Sequence, residues 1–419
     1  MVSTMKTKRV FLFIYLFFFP VAIAAYPRSP LSATISNSFL STSSPDYGVS
    51  NYNITQSVKY NVDINFTLTQ KSSGSGNYYF KFARLNNRMP NSTVTQYTPP
   101  YQESNLLYNH ITGYSVLDMG HHDQFNNTYD SFNATLGIDQ EVTLSQNYII
   151  ELNAIKFQDI QEAEIGLYNY SDEIFDLYCN NTEPYYERDD PELILLSNSI
   201  VGPTNISVVE KAEKIYNWVS SNIVYNGSLP GQEMGASWAF NNSQGDCSEY
   251  SSLMVTLLRI QDIPARKVTG FLISNNPATR PQVGDSWSFY ASDLGSNMLG
   301  HAWLEYYVPA IGWIVCDPTW GTSYFNKIDF LRFNQNIGAN FFLPPIFTVS
   351  EFGNPIFGYP LSETFIYNYD IDITVIESNL LPSEEFPIMF FIFIGIGVAA
   401  VLLTIGIIIK RNRKKNLYA

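Results

Sequence analysis

The strongest constraint on the fold is a stretch in which apolar and polar side chains alternate without interruption. From Val58 to Thr69 every second residue is apolar and the residues between are polar. Because successive side chains of a strand point to opposite faces, this pattern predicts one long, half-buried strand. A Ser/Gly-rich turn at 72–76 and a second alternating run at 78–82 follow. We therefore predict a β-rich, sandwich-like domain over residues 47–160.

An amphipathic helix is predicted to begin at Ser207. Ser207 and Glu210 have the spacing of a capping box, in which each side chain satisfies a backbone N–H at the helix start. Apolar residues then recur at helical spacing as far as Val219. We interpret this segment as an ordinary amphipathic core helix and assign it no chemistry.

A second predicted helix begins at Cys247. Asp246 has the position and type of an N-cap, and Glu249 completes a capping box. The free N–H groups and the positive end of the helix dipole favour a thiolate at the first residue. Gly245 is expected to allow the chain to approach the helix closely. Cys247 is therefore a candidate nucleophile, and the alternative is a small buried apolar side chain.

Two predicted strands further along supply a base and a carboxylate. His301 opens a strand that runs to Val308, and Asp317 closes the return strand, so both side chains can meet at one end of a hairpin. A plain loop over residues 309–312 would place Asp317 on the opposite face from His301. We therefore predict a loop one residue longer, or a bulge. A nucleophile, a base and a group that orients the base are the parts of a catalytic triad.

These segments resemble the core motifs of the transglutaminase-like superfamily. The resemblance lies in Gly245-Asp246-Cys247, Leu257-Leu258-Arg259, Ile263-Pro264-Ala265-Arg266, Gly300-His301-Ala302-Trp303 and Asp317-Pro318-Thr319-Trp320. It covers residues 190–325 and implies a papain-like α+β core behind the β-rich domain. It also implies Cys247 as nucleophile, His301 as base and acid, and Asp317 as the orienting group. The family includes peptidases, amidases, amide cross-linking enzymes and inactive members, and all three positions are filled here.

The chemistry expected of such a site needs neither a cofactor nor a metal. The Cys247 backbone N–H is a natural oxyanion donor, and Gln244 and Trp238 are upstream candidates for a second one. The run His121-His122-Asp123 contains metal-ligand residue types, but no further ligand follows at a suitable spacing. We predict a loop there and no metal site.

Both ends of the chain predict export and membrane anchoring. Residues 1–25 combine basic residues, an apolar run and a small-residue end, which is the pattern of a signal peptide, with an uncleaved anchor as the alternative. Residues 388–409 carry no charge and are long enough to cross a bilayer, and the basic segment 410–419 follows. We therefore expect a flexible leader at 26–46, a C-terminal transmembrane helix, a cytoplasmic tail and an extracytoplasmic bulk.

The charge of the chain limits its binding partners, and the number of cysteines limits its disulfides. The chain carries 38 acidic and 24 basic residues, and most of the acidic excess falls on the part expected outside the cell. This acidity argues against nucleic acid as a partner. Three cysteines are too few for a disulfide scaffold, and a bridge between Cys179 and Cys316 remains open. Sequons predict glycosylation of surface loops at Asn53, Asn65, Asn91, Asn126, Asn133, Asn169, Asn180, Asn205, Asn226 and Asn241.

The sequence thus predicts a cell-surface thiol acyl-transfer enzyme acting on peptide amide bonds, that is, a cysteine peptidase or amidase. Its partners would be a peptide or protein substrate and a membrane crossed by one helix. One alternative is a cross-linking transglutaminase that uses the same thioester. The other is a surface binding or adhesion protein without a reaction. Residues 274–299 are expected to form a loop over the site, and residues 326–387 either complete the core or form a small β-region.

Overall fold

The computed structural model describes residues 51–89, 97–203, 205–229, 233–338, 341–343, 347–349, 356–358 and 364–380. The predicted signal peptide, leader, transmembrane helix and basic tail lie outside these residues. In the part that is described, no helix is long and apolar enough to cross a membrane.

The described elements mix helices with a larger amount of sheet. The helices are α1 Glu173–Tyr178, α2 Pro191–Val201, α3 Val208–Asn222, α4 Ala236–Asn242 and α5 Cys247–Ile260, with 3-10 turns at Glu162–Glu164 and Pro318–Tyr324. The strands are β1 Tyr52–Gln70, β2 Gly76–Ala83, β3 Gln102–Thr112, β4 Val116–His122, β5 Thr128–Leu136, β6 Glu141–Phe157, β7 Val224–Tyr225, β8 Gln244–Gly245, β9 Ala265–Leu272, β10 Ser286–Ser292, β11 Gly295–Ser296, β12 Gly300–Val308, β13 Gly312–Cys316, β14 Lys327–Ile328, β15 Arg332–Ile337, β16 Phe341–Leu343, β17 Phe347–Val349, β18 Ile356–Gly358 and β19 Phe365–Ser378.

Two sheets pack face to face as a sandwich. One has the order β11-β10-β19-β1-β6-β14, with β3 also paired to β6, and the other has the order β18-β2-β5-β4. The alternation predicted for residues 58–69 is confirmed, because the apolar residues of β1 are buried while the residues between them are less so. Phe66 of β1 meets Phe80 and Phe82 of β2 with ring centroids 5.6 and 4.9 Å apart.

The sandwich takes strands from beyond residues 47–160. Strand β10 pairs with β19, and β19 pairs along most of β1. The expectation that residues 274–299 are a loop over the site is therefore wrong for their second half, which is sheet. The segment 326–387 contributes to two different sheets, because β15 pairs with β9, outside the sandwich, whereas β19 belongs to the sandwich. Apolar alternation in β19 fits it to a half-buried sheet position.

The remaining elements build an α+β core. Strands β13-β12-β9-β15 form an antiparallel sheet, and helix α5 packs against it with almost every residue buried. Helix α3 begins at the predicted capping box, in which Ser207 and Glu210 exchange side-chain and backbone bonds. The buried apolar residues of α3 and α5 share one cluster with those of the sheet.

Candidate active site

Cys247 is the first residue of α5, as predicted. Asp246 caps the helix: its Oδ1 accepts the Ser248 N–H at 2.7 Å, and Glu249 Oε2 accepts the Asp246 N–H at 3.0 Å. Gly245 fits before the cap because any Cβ at that position would clash with the Glu249 side chain. The capping box and this close approach fix the point from which the Cys247 side chain projects.

The hairpin of β12 and β13 brings His301 and Asp317 to one end and one face of the sheet. Val308 pairs with Gly312, so the loop covers only residues 309–311. The loop is one residue shorter than the plain register, whereas we predicted a longer loop or a bulge. A backbone φ of +107° at Gly312 permits the tight return. Shortening or lengthening the loop by one residue shifts the strand register by one, and either shift moves Asp317 to the face that carries His301. The two side chains therefore meet even though the loop is shorter than predicted.

His301 and Asp317 form a direct hydrogen bond. The distance from His301 Nε2 to Asp317 Oδ2 is 2.7 Å, and both side chains are buried. Because the carboxylate takes Nε2, the other ring nitrogen, Nδ1, is the one left to exchange a proton with a nucleophile.

A residue that the sequence reasoning missed completes this pair. Arg332 opens β15, and its Nε and Nη2 donate to Asp317 Oδ2 at 3.1 and 2.9 Å. Its Nη1 lies 2.5 Å from Asp329 Oδ1. The only signal in the sequence is one arginine inside the apolar run Phe330–Phe333, since a buried guanidinium needs an acidic partner. The sequence does not say which carboxylate that partner is.

The Cys247 sulfur lies against the start of β12. The backbone N–H of Ala302, the residue next to His301, and the carboxylate of Asp317 are both near enough to influence the thiol electrostatically. The side chain of Cys247 is only 7% exposed. The structure thus brings the three residues predicted for the site to one place, where α5 meets the β12–β13 hairpin.

The family assignment follows from this part of the chain. Residues 196–318 match the family model described as the transglutaminase-like superfamily. This segment is a transglutaminase-like domain. It contains Cys247, His301 and Asp317, together with α3, α5 and the β12–β13 hairpin.

Two curated proteins match a short part of the chain. Over 82 residues the chain is 34% identical to the uncharacterized protein YebA of Bacillus subtilis (strain 168), which covers 20% of this chain and 10% of that protein. Over 82 residues it is 35% identical to a protein-glutamine gamma-glutamyltransferase of Pseudomonas aeruginosa, which covers 19% and 11%. The chain thus spans about a tenth of the length of these relatives.

Solved structures show a more distant likeness. A candidate cysteine protease from Cytophaga hutchinsonii aligns with a TM-score of 0.49 at 14% identity, covering 79% of this chain and 95% of that one. The periplasmic domain of TgpA from Pseudomonas aeruginosa aligns with a TM-score of 0.28 at 16% identity, covering 59% and 88%. Both scores are below 0.5, so the assignment of the transglutaminase-like domain rests on its sequence.

Asp317 is ionised at neutral pH in the transglutaminase-like domain. Burial alone favours the neutral acid, but the positive charges and hydrogen bonds of His301 and Arg332 outweigh it and lower the pKa of Asp317 to about 2. A carboxylate that stays charged can hold the imidazole in one tautomer and stabilise the imidazolium.

The Cys247 thiol behaves differently from the expectation. Burial, followed by the negative charge of Asp246, raises the pKa of Cys247 above its usual range, while the Ala302 N–H and Lys267 act in the opposite direction. The predicted preference for a thiolate is therefore wrong for the resting protein, because desolvation outweighs the helix start.

A donor for an oxyanion is present beside the thiol. The backbone N–H of Cys247 donates to no acceptor within the described ranges. Of the two upstream candidates, Gln244 has its Oε1 occupied by the Asn226 side-chain amide at 3.1 Å. Trp238 lies in α4. The second donor therefore remains a prediction.

A buried ion pair contacts the first turn of α5 from strand β9. Lys267 of β9 pairs with Glu233, and its Nζ donates to the Ser248 Oγ at 2.9 Å. Ser252 Oγ also donates to Glu233, at 2.5 Å. Ser248 directly follows Cys247, so this network fixes the first turn of α5.

The rings of two tryptophans lie close to the His301 ring. The rings of Trp303 and Trp320 lie 6.0 and 6.3 Å from the His301 ring, measured between centroids. Trp303 is buried, whereas Trp320 is partly exposed. Trp320 therefore faces both the imidazole and the surface.

Two further features considered from the sequence are a disulfide and the run His121-His122-Asp123. Cys179, Cys247 and Cys316 are all free and buried, so the bridge between Cys179 and Cys316 is absent. The loop predicted at His121-His122-Asp123 is wrong for the two histidines, which end strand β4 and pair with β5. No group of three or more His, Cys, Asp or Glu side chains in the part described could hold a metal ion.

Proposed function

We propose that this protein is a thiol acyl-transfer enzyme that cleaves peptide amide bonds, with Cys247, His301 and Asp317 as its catalytic residues. The observation that carries the proposal is the 2.7 Å bond between His301 Nε2 and Asp317 Oδ2, made where the first residue of α5 presents its sulfur. A nucleophile, a base and an orienting carboxylate in one place are what acyl transfer requires.

The first half of the reaction forms a thioester. The Cys247 thiol proton passes to His301 Nδ1 as the sulfur attacks the amide carbonyl. Asp317, already ionised, stabilises the imidazolium that results. The carbonyl oxygen becomes an oxyanion beside the Cys247 N–H. His301 then gives the proton to the departing amine, the C–N bond breaks, and an acyl group remains on sulfur.

The second half returns the enzyme to its starting state. Water loses a proton to His301 and attacks the thioester, and the thiol leaves with that proton. The products are a carboxylic acid and the free amine of the peptide or ammonia. A primary amine in place of water would give a new amide. The identity with a protein-glutamine gamma-glutamyltransferase over 82 residues favours this second acceptor as the alternative.

An activity screen with acyl-enzyme trapping tests the proposal. The full chain in detergent is incubated with a peptide library, with and without a primary amine, and the intact mass is followed. We expect an acyl adduct on Cys247 that hydroxylamine removes, free carboxylic acid without amine, and no product from Cys247→Ala. Cys179→Ala is the matched control, because it removes a second buried thiol outside the site. Turnover that survives Cys247→Ala contradicts the proposal, and no adduct with any peptide supports a binding protein instead.

We also propose that the enzyme acts outside the cell, on a peptide or protein substrate, while one C-terminal helix anchors it. The uncharged segment 388–409 and the basic residues after it support this topology. Protease added to intact cells should remove the catalytic domain and leave the tail protected. A tail that is cleaved while the domain stays intact contradicts the topology.

A further inference from the structure

A surface pocket opens next to the proposed catalytic residues and has no part in the mechanism described above. Its volume is about 470 Å³, and it is lined by Asn275, Pro277, Thr319, Trp320, Ser323, Tyr324 and Lys327. Trp320 is shared with the site, since its ring centroid is 6.3 Å from that of His301. A group bound in this pocket could therefore belong to the same peptide whose amide reaches Cys247.

The pocket is positively charged in an acidic protein. Of the described residues that line it, Lys327 alone is charged, and its Nζ lies 5.1 Å from the Tyr324 ring centroid. Lys327 is directly opposite Lys156 in the pairing of β14 with β6. Neither lysine forms an ion pair with another described residue. Like charges directly opposite in a sheet are unfavourable unless an anion lies near them.

The two carboxylates that are hydrogen-bonded to lining residues of the pocket are already paired. Asp317 is held by His301 and Arg332, and Asp329 is held by Arg332 and by the Tyr324 hydroxyl at 2.7 Å. These acids therefore do not need the charge of Lys327. The ammonium group is left for an anion from outside the chain.

A second polar group in the pocket lacks a partner. The Thr319 Oγ1 is buried and makes no hydrogen bond to any described residue, although the Thr319 backbone N–H donates to Asp317 Oδ1 at 3.2 Å. A buried hydroxyl without a partner is costly. The aromatic faces of Trp320 and Tyr324 offer contact to a short apolar stem.

We propose that this pocket binds the side chain of an Asp or Glu residue of the substrate. The inference rests on the proposed function: the carboxylate would pair with Lys327, and its apolar stem would lie against Trp320 and Tyr324. The enzyme would then prefer peptides with an acidic residue close to the scissile amide. Net acidity of the whole chain makes such a preference unexpected from composition alone.

Matched peptides test this preference. Each pair differs only by Glu or Gln at one position beside the cleaved amide, and kcat/KM is measured with the wild-type full chain. We expect one position at which Glu is favoured by about threefold to tenfold, the size of a partly shielded ion pair. Lys327→Gln should abolish that preference, and Lys327→Glu should favour Lys at the same position. Lys71→Gln, which removes an equal charge from an ion pair with Asp139 in the sandwich, should leave it unchanged.

Binding to Cys247→Ala separates failure of the pocket from failure of the reaction. Peptide titrations followed by tryptophan fluorescence need no turnover, so they report on the pocket even if the proposed chemistry is wrong. A lower Kd for Glu than for Gln that Lys327→Gln removes supports the pocket. Equal Kd values for Glu and Gln at every position overturn it, while turnover that depends on Cys247 leaves the proposed function intact.

Discussion

The core of the β-sandwich and the candidate active site are built from different kinds of contact. In the sandwich core, Phe80 and Phe132 stack with centroids 4.7 Å apart within a large cluster of buried apolar side chains. At the candidate active site, His301, Asp317 and Arg332 are all buried and joined by directed bonds of 2.7 to 3.1 Å. The first arrangement depends on area and volume, whereas the second depends on the position of single atoms.

This difference predicts how each region responds to substitution. Apolar burial is roughly proportional to area, so a change in the sandwich costs stability according to the volume removed. A buried charge that loses its partner leaves an unpaired ion, and the catalytic geometry changes with it. We therefore expect sandwich variants to lose stability while keeping activity per folded molecule, and site variants to lose activity first.

The largest expected effect is the loss of the nucleophile. Cys247→Ala should lower kcat/KM at least about 1000-fold, because no other group in the site can form the thioester. The urea midpoint should change little, since the substitution removes one sulfur from the start of a capped helix. Peptide turnover and urea unfolding measured on the same preparation check both statements. A large loss of stability would show that Cys247 is a core residue.

A substitution in the sandwich core should lower stability and leave activity nearly unchanged. Phe132→Ala removes a stacked ring between Phe80 and Phe82 and should lower the free energy of unfolding by about 3 to 5 kcal/mol. The kcat/KM of the protein that remains folded should stay within about twofold of wild type. Urea unfolding and active-site titration with iodoacetamide give the two quantities. Equal losses of activity and stability would mean that the two regions are not separable.

The arginine behind the triad should have an intermediate effect. Arg332→Gln leaves the charge of Asp317 with one fewer partner, so the pKa of Asp317 should rise and the imidazole should be held less firmly. We expect kcat/KM to fall about 10- to 100-fold, with the acidic limb of its pH profile moved upward. Arg332→Lys should recover part of the activity. An unchanged pH profile in Arg332→Gln would assign the residue a purely structural role.

Acid should weaken the folded state through the same carboxylate. The pKa of Asp317 is lowered to about 2 in the folded protein, so its contribution is full above the unfolded value of about 3.9 and is lost as the pH falls through 2. Wild type should therefore lose about 2 to 3 kcal/mol more than Asp317→Asn between pH 5 and pH 2. Urea unfolding across this range measures the difference, and parallel curves would contradict the prediction.

Local patterns in the sequence predict much of the framework and only part of the site. Strand β1 and the starts of α3 and α5 follow from alternation and capping boxes, which act within a few residues. The short β12–β13 loop needs positive φ at Ala310 and at Gly312, and neither residue type requires that conformation. Arg332 reaches Asp317 from β15, at the opposite edge of the sheet from β13. Such a contact is set by tertiary packing and leaves no periodic signal.

Burial also explains the one electrostatic expectation that was wrong. The sequence predicts a helix start at Cys247, and a helix start favours a thiolate. The burial of Cys247 cannot be predicted from the sequence. Desolvation then decides the sign of the shift in the Cys247 pKa. The reactivity of the thiol therefore depends on its base rather than on the helix alone.

The dependence of Cys247 on His301 is the most direct test of this account. Iodoacetamide labelling of the native full chain at pH 7, mapped by peptide mass spectrometry, compares Cys247 with the buried thiols Cys179 and Cys316. We predict that Cys247 is alkylated fastest and that His301→Ala slows it at least about tenfold without affecting the other two. Alkylation of Cys247 that is no faster than that of Cys179, or that is unchanged in His301→Ala, would contradict the account.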